Sequence, residues 1–506
     1  MTGVRLDGKR EKQMDHKDYL KLIDEVNERG RYKADWASLT GHKTPDWYYE
    51  GKLGIFIHWG LYSVPAYATE WYAREMYDPA HHEYKYHREH FGDQKEFGYK
   101  DFIPMFKAEK FDAEKWVELF ASAGARFVTP VCEHHDGFAM YDTEFNRYNA
   151  ASMGPCVDVA GEIRKACEAR GLTFCASSHR AEHYFFMNMG RAADSDVTDE
   201  RYRDFYGPAY LCPELDGDKV FETTVDPYSP AAPDEEWMED WLVRTAELID
   251  KYQPSILYFD WWIQHVAFKP YLKKLCAYYY NRAEEWGREV TINYKHEAFP
   301  PGVAVFDVER GALTGISPVP WQTDTAIGKK SWGYVRDNEF KSSRQIICDL
   351  VDIVSKNGML LLNVGPKSDG TITDEETAVL KELGEWMSEC GEGIYGTVPW
   401  KVFGEGSVNN SEGFFQDNDE KLFTSADYRF TYKKGLLYAF CMRPDSERFL
   451  IRSLNIRHDH DIITGSVGVL GDHRIVSAER NSDGLSIVLD RKPATDKPVC
   501  FKIEII

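Results

Sequence analysis

The chain has no C-x-x-C pair, no apolar stretch near the ~18 residues of a membrane span, and no surplus of positive charge. Each absence removes a class of protein. Its ten cysteines lack the paired spacing of a zinc ribbon, and Cys132, Cys175 and Cys348 fall in apolar segments, so they read as buried, reduced thiols. Net charge is −22. A nucleic acid, which needs a basic face to displace counterions, is therefore not an expected partner. The opening MTGVRLDGKREKQMDHKDYL is charged throughout and lacks the apolar core of a secretion signal. The expectation is a cytoplasmic protein without membrane contact, unless a leader has already been removed. Internal repeats are missing too. What is plentiful is aromatic side chain, 14% of all residues. Most must be core; the surplus offers flat surfaces on which sugars can stack.

Short apolar runs recur, separated by segments of helical spacing. They are Leu53–Ile57, Arg126–Val131, Leu172–Ala176, Ile256–Phe259, Val290–Asn293, Val303–Phe306 and Met359–Asn363. Phe111–Ala123, Cys156–Arg170 and Glu235–Tyr252 read as helices between them, the last with an acidic first turn. Strands alternating with helices predict a parallel sheet, and this number of runs suits a (β/α)8-like TIM barrel with one strand overlooked. Tyr184 to Asp234, rich in Asp, Pro and Tyr, reads as a long loop over a pocket, and GEGIYGTVP (391–399) as a linker. Beyond it Tyr428–Tyr432, Leu436–Cys441, Phe449–Ile451, Ile475–Ser477, Ser486–Leu489 and Cys500–Ile506 are short strand-like runs, an all-β sandwich. The expected division is an N-terminal helical segment 1–44, a barrel 45–395 and a C-terminal β-sandwich 396–506.

In a barrel, function gathers at the carboxyl ends of the strands. Polar and titratable residues stand just there. His58 follows the first run, His134 and His135 the second, His179 the third. Asp260 and Trp262 follow the fourth, Lys295 and Glu297 the fifth, Glu309 and Arg310 the sixth. One such ending has a plain explanation; six in one chain point to a pocket. Asp260 closes the apolar ILYFDWW, and Glu309 lies in VFDVERG. Each alone could be a cap or half of a salt bridge. Together they suit glycoside hydrolysis, in which one carboxylate attacks the anomeric carbon while the other protonates the departing oxygen. Roughly 5–5.5 Å between them gives retention, and a wider gap gives inversion. Lys295 or Arg310 would keep the nucleophile ionised. The histidines could instead bind a metal with Asp260, although an adjacent pair is a weak zinc signature. They also suit sugar hydroxyls, each ring offering a donor and an acceptor.

KLGIFIHWGLYSVPAYATEWY, EHHDGFAMYDT, ILYFDWW, SWGYVRD, NGMLLLNVGPKSDGTITDEE and GEWMSECGEGIYGTVPW resemble, in family order, the motifs of family 29 glycoside hydrolases, the retaining α-L-fucosidases. The resemblance covers about residues 45 to 400. It implies a barrel followed by a β-sandwich, a covalent fucosyl-enzyme, no cofactor and no metal. It implies a substrate with terminal α-L-fucose, free or on an oligosaccharide, and leaves association of like chains open. Asp260 matches the nucleophile; His58, Glu70, Trp71, His134 and His135 match the sugar-binding set. Glu309 is the expected acid/base, with Glu297 as the alternative. Where many members carry a Tyr-Ser pair and a Trp, this chain reads SSHRAEHYFF, so His179 or Tyr184 takes over a tyrosine contact. Trp71 and Trp262 would wall the methyl group of fucose. A metal-dependent hydrolase on the same barrel and a non-catalytic fucose binder are the competing readings.

Overall fold

In the computed structural model, which describes residues 14–212, 226–409, 412–417, 419–457 and 464–505, the apolar runs become a nearly closed parallel sheet. Its eight strands are β1 (Leu53–Ile57), β2 (Phe127–Glu133), β3 (Ala176–Ser178), β4 (Ile256–Phe259), β5 (Thr291–Tyr294), β6 (Val305–Phe306), β7 (Trp321–Ala326) and β8 (Gly358–Val364). They lie side by side in chain order, with β1 paired to both β2 and β8. The short Thr173–Phe174 strand leads into β3 along β2. The seam between β6 and β7 is held by a bridge from Asp307 to Gln322 and by the Val308 N–H on the Gln322 carbonyl at 2.8 Å. This is a (β/α)8-like barrel.

Helices Ala113–Ser122, Val159–Arg170, Glu235–Tyr252, Lys269–Trp286, Ser343–Ser355 and Asp374–Cys390 flank the strands, while loops join β5, β6 and β7. Five of the six start on a side-chain cap: Asp112, Asp158, Asp234, Ser342 and Thr373 each accept the backbone N–H three residues on. Such a cap satisfies an N–H that the helix cannot pair itself. The strand overlooked in the sequence is β7, WQTDTA. It is fully buried, yet the four residues between Trp321 and Ala326 are polar, and their side chains find hydrogen-bond partners: Gln322 to Asp307 at 2.6 Å, Thr323 to the Val308 carbonyl at 2.7 Å. Apolar periodicity cannot report such a strand.

An N-terminal helix, His16–Arg29, packs on the outside of the barrel. Tyr19 donates to Asp250 and Asn27 to the Lys274 carbonyl, each at 3.0 Å. The rest of the charged N-terminus and part of the expected long loop, 213–225, lie outside the described residues. After the barrel come two antiparallel sheets. One orders β9 (Val398–Glu405), β10 (Tyr428–Lys433), β11 (Leu436–Cys441), β16 (Val499–Ile505) and β13 (Thr464–Val469); the other orders β12 (Arg448–Ile451), β15 (Leu485–Leu489) and β14 (Ile475–Arg480). Phe430, Leu437, Ile451, Ile487, Phe501 and Ile503 fill the space between them, the interior of a sandwich. Gly391–Pro399 is not a free linker. Gly391–Gly393 forms a 3-10 turn, Ile394 is fully buried, and Val398 already begins β9. A buried ionic junction joins the two parts: Asp352 of the helix before β8 meets Arg429 Nε of β10 at 2.5 Å and Lys356 Nζ at 2.8 Å.

Candidate active site

Side chains of a strand alternate between its two faces. Here one face forms a closed apolar plug inside the barrel: Phe56, Phe127, Val131, Tyr258, Val305 and Leu361, with Tyr48 below them. Two residues further along six of the strands the same face emerges from the plug. Phe56 leads to His58, Ser177 to His179, Tyr258 to Asp260, Asn293 to Lys295, Asp307 to Glu309 and Gln322 to Asp324. The strand period thus delivers titratable groups to one end of the barrel, where they line a cavity of about 250 Å³. That volume lies below the range typical of drug-sized ligands and suits a single sugar ring.

Lys295 stands at the centre of the charge. Its Nζ lies 2.8 Å from Glu309 Oε2, 2.9 Å from Asp324 Oδ2, 3.5 Å from Asp307 and 3.9 Å from Asp260 Oδ1. Asp260 and Glu309 are therefore no further apart than those two legs of Lys295 laid end to end. Trp261 Nε1 also donates to Glu309 Oε2. On its other oxygen Asp260 faces His179 Nδ1 at 3.0 Å and His135 Nε2 at 3.5 Å. The first contact is close but not aligned as a hydrogen bond. His58 Nδ1 is 2.7 Å from the Asn363 amide oxygen, which fixes its proton there and leaves Nε2 as an acceptor. Buried His134 Nδ1 has no hydrogen-bond partner among the described residues. Glu70 accepts from Ser331 Oγ at 2.7 Å and from the Trp332 N–H at 2.9 Å, and Trp71 meets the edge of His135.

These contacts split the acids. Burial by itself would raise the Asp260 carboxyl, but His179, Lys295 and His135 outweigh it and hold the group below the usual carboxylate range. Burial pushes Glu309 up to about 7; Asp260 and Asp324 add to the rise and Lys295 opposes it. One carboxyl is thus kept ionised and its neighbour kept protonated near neutrality. Burial also depresses His58, His134 and, to about 3, His135, so these rings are neutral.

The cavity brings together His58, Glu70, Trp71, His134, His135, His179, Asp260, Lys295 and Glu309. Four other expected residues stand elsewhere. Trp262 turns away with a left-handed backbone, φ 86°, and is buried against Phe185; its neighbour Trp261 lines the cavity instead. Tyr184 stacks on Tyr210 and donates to Asp234 at 3.3 Å, so His179 takes the position that the sequence left between them. Arg310 reaches Asp417 at 3.1 Å and lies over Trp332, behind the wall. Glu297 is exposed, past the end of β5.

Sequence reasoning missed Glu182, Asp324, Trp332 and Phe415, all of which line the cavity. Glu182 lay within the quoted SSHRAEHYFF and Trp332 within SWGYVRD. Asp324 was hidden in the polar strand, and nothing in the sequence linked Phe415 to a site so many residues away. Ring nitrogens of His58, His134 and His179 come within 4.8 Å of one another, as do ligand atoms of His135, His179 and Asp260. The donor types suit a borderline cation such as zinc.

The α-L-fucosidase family, as a sequence model, matches residues 20–392. The α-L-fucosidase of Dictyostelium discoideum is 27% identical over 404 residues, which span 76% of this chain and 78% of that protein. The tissue α-L-fucosidase of Homo sapiens is 28% identical over 393 residues, 74% of this chain and 73% of its own. The crystal structure of Thermotoga maritima α-fucosidase in complex with fucose aligns with a TM-score of 0.71 at 29% identity, covering 94% of this chain and 100% of that one.

Proposed function

Because the chain belongs to the α-L-fucosidase family, we propose that it is a retaining exo-α-L-fucosidase that frees terminal L-fucose from fucosylated glycans. One observation carries the reading: Asp260 and Glu309 share buried Lys295 while their environments push their protonation apart. Asp260 is the nucleophile. Two histidines face Oδ2, so Oδ1 attacks the anomeric carbon as the glycosidic bond breaks. Glu309 gives its proton to the departing oxygen. Lys295 and Trp261 both occupy Oε2, which places that proton on Oε1. In the second half Glu309, now ionised, takes a proton from water; the hydroxide oxygen attacks the fucosyl carbon and the Asp260 carboxylate leaves. Two inversions give net retention.

The neutral histidines and Glu70 hold the ring hydroxyls, His58 accepting through the Nε2 that its Asn363 contact leaves free. An unmatched sugar would leave these buried groups unpaired, which discriminates more strongly than apolar contact alone. Trp71 is the apolar wall for the methyl group. The small cavity admits one terminal ring, hence exo action.

Glu309→Ala is expected to slow substrates with poor leaving groups by ~10²–10⁴-fold, but an activated aryl fucoside only slightly. It is also expected to erase the fall of kcat/KM above pH about 7 that Glu309 sets in the native enzyme, since the acid must be protonated to act. Steady-state rates across pH on both substrates decide this. The same selectivity in Glu297→Ala would refute the assignment of Glu309. The geometry also allows a metal reading through the histidine cluster; activity removed by a chelator and restored by zinc would favour it over double displacement.

A further inference from the structure

Between β9 and β10 the chain returns to the mouth of the barrel. Residues 412–417 run beside the loop that follows β6. The Gly413 N–H donates to the Ala312 carbonyl at 3.3 Å, Phe415 to the Glu309 carbonyl at 3.0 Å, and Gln416 to the Arg310 carbonyl at 2.7 Å. Asp417 fastens the end of this strap. Its carboxylate meets Arg310 Nε at 3.1 Å, buried Lys341 Nζ at 2.5 Å and the Thr325 hydroxyl. Gln416 and Asp417 line a second cavity of about 260 Å³, while Phe415 lines the sugar cavity, so the strap is the partition between them.

Phe415 is unusual in two respects. It is 58% exposed although it lines a pocket, and its φ of 56° lies in the left-handed region that bulky residues rarely enter. Such an outlier persists where its surroundings impose it, and it marks a functional position more often than an ordinary one. Its neighbour Phe414 packs against Trp261 and Phe306, so the strap is seated by one ring and presents the other.

We infer that Phe415 is the stacking platform for the sugar that leaves, and that the segment following the barrel thereby reads the aglycone. This rests on the fucosidase reading and extends it. Glu309 protonates the glycosidic oxygen, so the ring bonded through that oxygen lies on the Glu309 side of the cavity. Phe415 is hydrogen-bonded through its own backbone to Glu309's. The C–H face of a pyranose is apolar and packs on an aromatic ring. Binding energy gained there, away from the reacting carbon, is available to hold the glycosidic oxygen against the acid, so it is expressed in kcat as well as KM.

Two substrates separate the sites. α-L-Fucosyl fluoride carries no ring beyond the scissile bond, whereas a fucosyl disaccharide, the best of a linkage-defined panel, does. Phe415→Ala is expected to lower kcat/KM on the disaccharide at least ~10-fold more than on the fluoride. Phe415→Gly, at ease at this φ, is expected to match it, and Phe415→Tyr to keep most of the preference. Equal losses on the two substrates, or no loss on the disaccharide in either ring-deleted variant, would overturn the inference. Wild-type protein inert toward both would overturn the fucosidase reading and this inference with it.

Discussion

Replacing Asp260 with glycine is expected to cut turnover of an aryl α-L-fucoside by on the order of 10⁴-fold, equivalent to ~5.5 kcal/mol of transition-state stabilisation. The variant loses the attacking oxygen and gains a small empty volume where the carboxyl stood. Azide is sized for that volume and needs no proton removed. It should restore part of the rate and give β-L-fucosyl azide, because it attacks from the face Asp260 used. Glu309 is still present to help the leaving group, and activated aglycones, which ask least of it, should show the largest rescue. Rates with and without azide, together with the anomeric configuration of the product by NMR, read the outcome. Turnover within tenfold of wild type, or an α-configured azide, would remove Asp260 from the nucleophile's role.

Lys295→Met carries the second large effect. Methionine keeps the length of the side chain and deletes the one charge that touches Asp260, Asp307, Glu309 and Asp324. Removing one partner of a buried ion pair costs ~3–5 kcal/mol, because the remaining charge stays desolvated. A loss of that size is expected from urea unfolding near pH 7. Its pH dependence has a definite direction. Without Lys295 the Asp307 and Glu309 carboxyls, already raised by burial, rise further, and Asp260 loses part of what holds it below the ordinary range near ~4. A group with a raised folded pKa favours the folded state when protonated and ceases to do so as pH climbs through that value. The deficit should therefore be greatest at neutral and alkaline pH and shrink on acidification as these groups take up protons. Activity should follow: Lys295 lowers both Asp260 and Glu309, so in the variant both limbs of the kcat/KM profile move to higher pH. A variant as stable as wild type at pH 7, with limbs unmoved, would deny Lys295 its central place.

Seven of the eight barrel strands could be read in the sequence, since a strand covered on both sides is a plain apolar run. The eighth could not. Gln322, Thr323, Asp324 and Thr325 are buried against polar partners, and polar burial leaves no trace in hydropathy. The residues ending each strand were legible because strand register fixes them: His58, His179, Asp260, Lys295 and Glu309 each sit two positions beyond an interior residue. Residues placed by loop conformation were not. Trp261 and Trp262 are adjacent, and only the left-handed turn at Trp262 decides which of them lines the cavity. Arg310 was expected in the pocket, where its charge would keep the nucleophile ionised, but its partner Asp417 comes from a part of the chain that no local pattern connects to it. Family motifs identified the pocket; only coordinates could bring Phe415 to it.

The Asp352 junction has a practical corollary for anyone dividing this protein. A fragment ending where the barrel pattern stops would keep Asp352 and Lys356 but discard Arg429, which sits between that carboxylate and the Val408 carbonyl. It would strip the cover from Ile394 and Trp386, surfaces shaped to be permanently dry. It would also take the strap, and with it Phe415. The same stretch of polypeptide thus carries both the buried junction and the strap at the mouth of the barrel.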